Sequence, residues 1–123
     1  MKIRVYYEDT DAGGIVYHTN YIKFCERARS EIFFSKGLYP FEGERSGFVV
    51  RNIDADFLAT SKLGDLLEVK THTIQIKHSY TVLLQEIFKE STKIFSMKVT
   101  LVYLAEGKPA RIPVLFKEIF QIL

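Results

Sequence analysis

Tryptophan is absent from this chain, and cysteine occurs once, as Cys25. A single cysteine excludes an internal disulfide and any metal cluster built on several thiolates. It also suits a reducing compartment. Charge of one sign is scarce in excess: the formal balance is +2, and no run of lysine and arginine forms a stripe, so nucleic acid is excluded as the expected partner. No stretch approaches the ~18 uninterrupted apolar residues of a membrane-spanning helix. Met1-Lys2-Ile3-Arg4-Val5 lacks the apolar core of a secretion signal, and the expected location is the cytoplasm. Internal repeats, low-complexity segments and linkers are missing as well. What remains is one domain over residues 1–123, long enough to bury its own core. Aromatic residues are plentiful, with ten Phe and seven Tyr, which favours a fold rich in sheet.

The hydrophobic period changes along the chain. Residues 2–7 read as a short strand. From about Tyr17 to Lys36 the spacing is helical, with Tyr17, Tyr21, Phe24, Cys25, Ala28 and Ile32 on one face and Lys23, Glu26, Arg27, Ser30 and Glu31 on the other. Gly37 stops that helix, and Leu38–Gly47 reads as loop. From Phe48 the period is two. Strands are expected over Val49–Phe57, Leu67–Thr73, Tyr80–Lys89 and Phe95–Tyr103. The short gaps between them predict an antiparallel meander. Pro113 opens a short last helix with Leu115, Phe116, Ile119 and Phe120 inward. One long helix and about five antiparallel strands define an α+β domain, and a curved sheet wrapped around that one helix buries the most surface. Such an arrangement is the hotdog fold.

Chemistry concentrates in Tyr6-Tyr7-Glu8-Asp9-Thr10-Asp11-Ala12-Gly13-Gly14-Ile15-Val16-Tyr17-His18, between the first strand and the long helix. Acids there can act as nucleophile or base. Glycines let backbone approach a ligand closely, and the helix start offers unpaired N–H groups to a negative oxygen. Taken alone, Asp11 reads as a cap or turn residue; Gly13, Gly14 and His18 at these offsets turn the balance toward catalysis. Asp9 is expected to order the loop through local backbone bonds. Cys25 falls on the buried helix face, His72 on the polar side of a strand, and His78 in a turn.

The same stretch closely resembles the hotdog thioesterases of the 4-hydroxybenzoyl-CoA thioesterase-like family, and among them the YbgC-type acyl-CoA thioesterases, which are linked in many bacteria to the Tol-Pal envelope system. Asn20-Tyr21, Glu26-Arg27-Ala28-Arg29, Phe48-Val49-Val50-Arg51, Gly64-Asp65-Leu66-Leu67-Glu68-Val69 and Lys108-Pro109-Ala110-Arg111-Ile112-Pro113 extend the likeness over nearly the whole chain. Ala59-Thr60-Ser61-Lys62 matches least. The resemblance implies hydrolysis of acyl-CoA, or of acyl-carrier-protein thioesters, with no metal and no organic cofactor. It assigns Asp11 as the catalytic carboxylate, accompanied by Tyr7 and His18. Gly14 is expected at the substrate, and Lys77 and His78 are the candidates for contact with the CoA phosphates. It also implies a homodimer joined edge to edge with sites at the interface, often paired into a homotetramer.

Three rival readings share some of these features. Asp9-Thr10-Asp11 after a strand also resembles the nucleophile motif of haloacid dehalogenase-type phosphatases, but those need a parallel sheet with helical crossovers. A hotdog dehydratase would share the fold and use a histidine with an acid for proton transfer. An adaptor that binds acyl carrier protein or the Tol-Pal machinery, with weak or no hydrolysis, is the main alternative.

Overall fold

A computed structural model describes residues 1–123. In chain order the elements are β1 (Lys2–Arg4), a 3-10 turn (Tyr7–Asp9), α1 (His18–Phe34), β2 (Phe41–Glu42), β3 (Ser46–Phe57), β4 (Leu66–Ile76), β5 (Tyr80–Lys89), β6 (Thr92–Ala105), β7 (Lys108–Pro109) and α2 (Val114–Ile122). They form one seven-stranded sheet in the order β1-β4-β5-β6-β3-β2, with β7 against β6. Every pairing is antiparallel, which removes the phosphatase reading.

The sheet has more strands than the alternation suggested because β2 and β7 are two residues each, too short to carry a period. The first strand ends at Arg4 and gives way to the 3-10 turn. The long helix and the short last helix opened by Pro113 are both present, as α1 and α2. The expected meander holds for β4, β5 and β6 but fails at β3, which pairs with β6. Tight turns give β5 both its neighbours, and β6 keeps one edge free. On that edge Ile53, Ala55 and Phe57 lie beside Val99, Met97 and Phe95, so the pairing continues an apolar face. Residues 58–65 must then cross the end of the β5–β6 hairpin to reach β4. The N–H groups of Leu58 and Ala59 both donate to the Ile94 carbonyl, at 2.9 and 3.1 Å, and hold this strap down.

α1 lays Tyr21, Phe24, Cys25, Ala28 and Phe33 on the inward residues of β4, β5 and β6, forming one core with Leu67, Val69, Leu83, Ile87, Phe95, Met97 and Val99. Tyr17, assigned inward from its spacing, sits at the helix N-cap and is exposed. Ser30, assigned outward, is buried and donates to Glu26 Oε1 at 3.1 Å. α2 inserts Phe116 and Phe120 edge-on against Phe33, at 5.3 and 5.8 Å. Leu115, expected inward, is exposed beside Val114, because it falls on the flank of a helix whose inward side is set by Phe116, Ile119 and Phe120.

One polar group lies at the centre of this core. Gln85 occupies an inward position of β5 and is fully buried. Its Nε2 donates to the Cys25 carbonyl at 2.8 Å and to Thr71 Oγ1 at 3.1 Å. Its Oε1 accepts from Arg29 Nη1 at 3.3 Å. Burial holds the Arg29 guanidinium below its ordinary pKa, with Glu26 working the other way.

Candidate active site

The loop before α1 is built around two aspartates with opposite fates. Asp9 is buried. Its Oδ2 accepts from the Tyr6 N–H at 2.9 Å, and its carbonyl accepts from the Tyr17 N–H at 3.0 Å and from Asn20 Nδ2 at 2.9 Å. It is the loop's internal brace, as the sequence suggested. Asp11 is exposed. The Asp11 N–H donates to the Ile15 carbonyl at 2.9 Å, and the Gly14 N–H returns to the Asp11 carbonyl at 3.0 Å. The Gly13 N–H donates to Asp11 Oδ1 at 2.8 Å, leaving Oδ2 without a partner among the side-chain bonds of the loop.

This turn needs its glycines for different reasons. Gly14 has φ +81°, the left-handed region where a side chain is strained. Gly13 has no such dihedral, but a Cβ there would lie 3.2 Å from Asp11 Oδ1. Tyr7, Thr10, Asp11, Ala12, Gly14 and Leu63 line one open cleft of about 590 Å³. The structure therefore brings Tyr7, Asp11 and Gly14 together.

His18 is the first residue of α1 and does not line that cleft. Its ring packs 4.6 Å from Tyr17 and edge-on to Phe57 at 5.8 Å. Tyr17, the N-cap, supplies no side-chain bond to the first turn. The N–H groups of His18 and Thr19 take part in no backbone hydrogen bond outside the regular elements, so the helix start presents free donors beside the loop.

Lys77 and His78 lie elsewhere. They occupy the β4–β5 turn, where the Lys77 N–H donates to the Tyr80 carbonyl at 2.8 Å. In the register of the sheet, Tyr80 neighbours Val102, and Val102 neighbours Val49. This is the opposite end of β3 from Phe57, roughly 25 Å away along the strands. There Lys77, His78, Arg111 and Lys117 line a second cleft of about 520 Å³ with no carboxylate among its walls. Arg111 and Lys117 were missed as members of this group. The signal available was the cationic character of both segments; what joins them is the Ile112 N–H donating to the His78 carbonyl at 2.9 Å.

The remaining histidine and the cysteine stay outside both clefts. His72 is exposed on β4. Cys25 is buried, and burial pushes its thiol up to about 12, which leaves no thiolate to act as nucleophile. No group of histidine, cysteine and acids is arranged to hold a metal ion, and no helix is long and apolar enough to cross a membrane.

An antiparallel sheet packed on a long helix is the hotdog arrangement. The chain belongs to the thioesterase superfamily, whose family model matches residues 13–96. It is 42% identical over 134 residues to the acyl-CoA thioesterase YbgC of Helicobacter pylori, covering 100% of both chains. It is 36% identical over 118 residues to the acyl-CoA thioester hydrolase YbgC of Escherichia coli O157:H7, covering 90% of this chain and 87% of the relative. Among solved structures, a probable thioesterase from Bartonella henselae superposes with a TM-score of 0.81 at 35% identity, over 92% of this chain and 95% of that one. These likenesses place the chain with the YbgC-type group.

Proposed function

We propose that this chain hydrolyses acyl-CoA thioesters at Asp11. The observation that carries the reading is a carboxylate held by the Gly13 N–H at 2.8 Å, open to a cleft and one short loop from a helix start with free N–H donors. Thioester hydrolysis needs an attack on the carbonyl carbon and a place for the oxygen that becomes negative. Asp11 supplies the first, either by forming a mixed anhydride that water then cleaves or by taking the proton from an attacking water. Backbone N–H groups at the start of α1 supply the second. Preorganised donors of this kind are worth about 3–4 kcal/mol in other enzymes. The leaving thiolate takes up a proton to complete the products.

His18 contributes its backbone N–H, and its ring orients water or the carboxylate from the helix side. Tyr7, which shares the Asp11 cleft, shapes the acyl entrance. Gly14 allows the thioester to approach the turn without a side chain in the way.

The assembly proposed is a homodimer joined through β3. β2 and the Pro40 carbonyl cover only its first residues, and its outer edge carries no partner from Val49 to Phe57. Val49, Val50, Ile53 and Phe57 are exposed there. Antiparallel pairing of two such edges sets the Phe57 end of one strand beside the Phe48 end of the other. That brings the cationic cleft of one protomer toward the Asp11 turn of its partner. Lys77 and His78, with Arg111 and Lys117, then serve the CoA phosphates of a site they do not share within one chain. Further pairing into a homotetramer suits the exposed α2 residues Val114, Leu115 and Ile122. A cytoplasmic location is the one proposed for such a substrate.

Purified protein in EDTA, offered short, medium and long acyl-CoAs, should release free thiol with a chain-length preference. Asp11→Asn should remain folded and lose at least about a hundredfold in kcat. Full activity in that variant would remove the assignment. No release from any acyl-CoA by the folded wild type would favour a carrier-protein thioester or the adaptor role.

A further inference from the structure

The two halves of the proposed chemistry sit on different pieces of chain. The carboxylate belongs to the turn 11–16, which closes on itself through the Asp11 N–H and the Ile15 carbonyl. The oxyanion donors belong to α1. Hydrolysis depends on the distance between them, and something has to fix it. Asp9 ties the entrance of the loop to the helix, but Asp11 lies beyond it. The exit of the turn is held by the strap 58–65.

Ser61 of that strap touches both pieces. Its carbonyl accepts from the Val16 N–H at 2.8 Å, and the next residue, Lys62, forms a bridge with Ile15. Its Oγ lies 2.7 Å from the Tyr21 hydroxyl, in a buried hydrogen bond between residues forty apart. Ser61 is 2% exposed and Tyr21 is 3% exposed. Tyr21 follows His18 by one helical turn, and its ring has no freedom to slide. It stacks on Phe95 at 5.5 Å and meets Phe57 and Phe24 at 6.3 Å each. The hydroxyl pair is thus a fixed strut from the helix start to the backbone that carries Asp11.

We propose that Tyr21 and Ser61 are positioning residues for hydrolysis, their hydrogen bond setting the Asp11 carboxylate at its working distance from the N–H groups at the start of α1. This rests on the reading of Asp11 given above. Neither hydroxyl touches substrate. Their contribution is made in the transition state, where a displacement of a fraction of an ångström between attacking group and donor weakens both interactions, while ground-state binding through the CoA handle is untouched.

The test uses the full chain, acyl-CoA hydrolysis and four variants: Asp11→Asn, Tyr21→Phe, Ser61→Ala and the double Tyr21→Phe/Ser61→Ala. Each single change at the pair keeps the packing and leaves one buried hydroxyl without a partner; the double change leaves none. Both singles should lower kcat about tenfold to a hundredfold with KM within about twofold, and both should melt at lower temperature than the wild type. The double variant should regain its melting temperature while kcat stays at the level of the singles. Recovery of kcat together with stability would make the pair merely structural and overturn the proposal. Wild-type kcat in both singles would do the same. An active wild type with an inactive Asp11→Asn secures the underlying reading independently, and an inactive wild type removes that reading and this one with it.

Discussion

Gln85→Leu tests whether the polar cluster under α1 holds the helix to the sheet. Leucine matches glutamine in volume and fits an inward position of β5, flanked two residues away on either side by Leu83 and Ile87, both fully buried. The change therefore removes hydrogen bonds without opening a large cavity. Arg29, 8% exposed, loses its acceptor on Gln85; a hydrogen bond to a charged group is worth about 1.5–3 kcal/mol. Thr71 Oγ1 and the Cys25 carbonyl lose the Gln85 amide, at about 1 kcal/mol together, since the carbonyl sits within a helix and has other partners. Burying the leucine side chain returns about 1–1.5 kcal/mol. The net expectation is a loss of about 2 kcal/mol, read as a lower urea midpoint with unchanged slope. Arg29→Met added to Gln85→Leu should recover most of it, because no buried charge then lacks a partner. A single variant within about 0.5 kcal/mol of wild type would refute the reasoning, as would a double variant less stable than the single.

The two glycines of the turn should respond differently. Gly14→Ala meets no atom within 4 Å but holds φ +81°, and should lose about 1–2 kcal/mol in thermal melts. Gly13→Ala should leave the melting temperature nearly unchanged and lower kcat, since its methyl group crowds Asp11 Oδ1 at 3.2 Å. At Asp65, burial works against the charge, but the Lys62 N–H at 2.8 Å and the Lys89 ammonium at 3.0 Å outweigh it and hold the carboxyl below the usual range. A carboxyl lowered on folding stabilises above its unfolded pKa of about 3.9. Asp65→Asn should therefore be less stable than wild type at neutral pH, with the gap closing as pH falls below about 4 in parallel unfolding curves. Cys25, pushed up to about 12, should resist thiol reagents at pH 8 in the native protein and react at once in denaturant.

Local pattern was sufficient wherever local forces decide. Tyr80–Lys89 has the bounds its alternation suggested, and α1 begins within a residue of its expected start. Asp9 was legible as the loop's brace because it could satisfy backbone N–H groups nearby, and the exposed Asp11 was set apart from it by the glycine turn behind it. The partner of β3 was not legible. Nothing in Ser46–Phe57 itself distinguishes β4 from β6 as a neighbour, and the choice is made by the tight turns on either side of β5. The strut between Tyr21 and Ser61 was equally hidden, since a serine in a strap gives no local sign of a tyrosine forty positions earlier. Gln85 did leave a trace: it is the one amide in the inward register Thr81, Leu83, Gln85, Ile87, opposite an arginine on the helix. The separation of Lys77 and His78 from Asp11 follows from strand length, which sequence spacing conceals because both flank the sheet.

The strap 58–65 is the direct continuation of β3, so the edge that faces outward and the loop that braces Asp11 are one uninterrupted piece of backbone. Only three residues separate Phe57, at the end of that edge, from Ser61. A tug on the strand is felt at the strut without passing through the core. In the dimer proposed above, closure over β3 would bear on the same backbone that braces the Asp11 turn, so dilution below the association limit should be felt at that turn as well as at the seam.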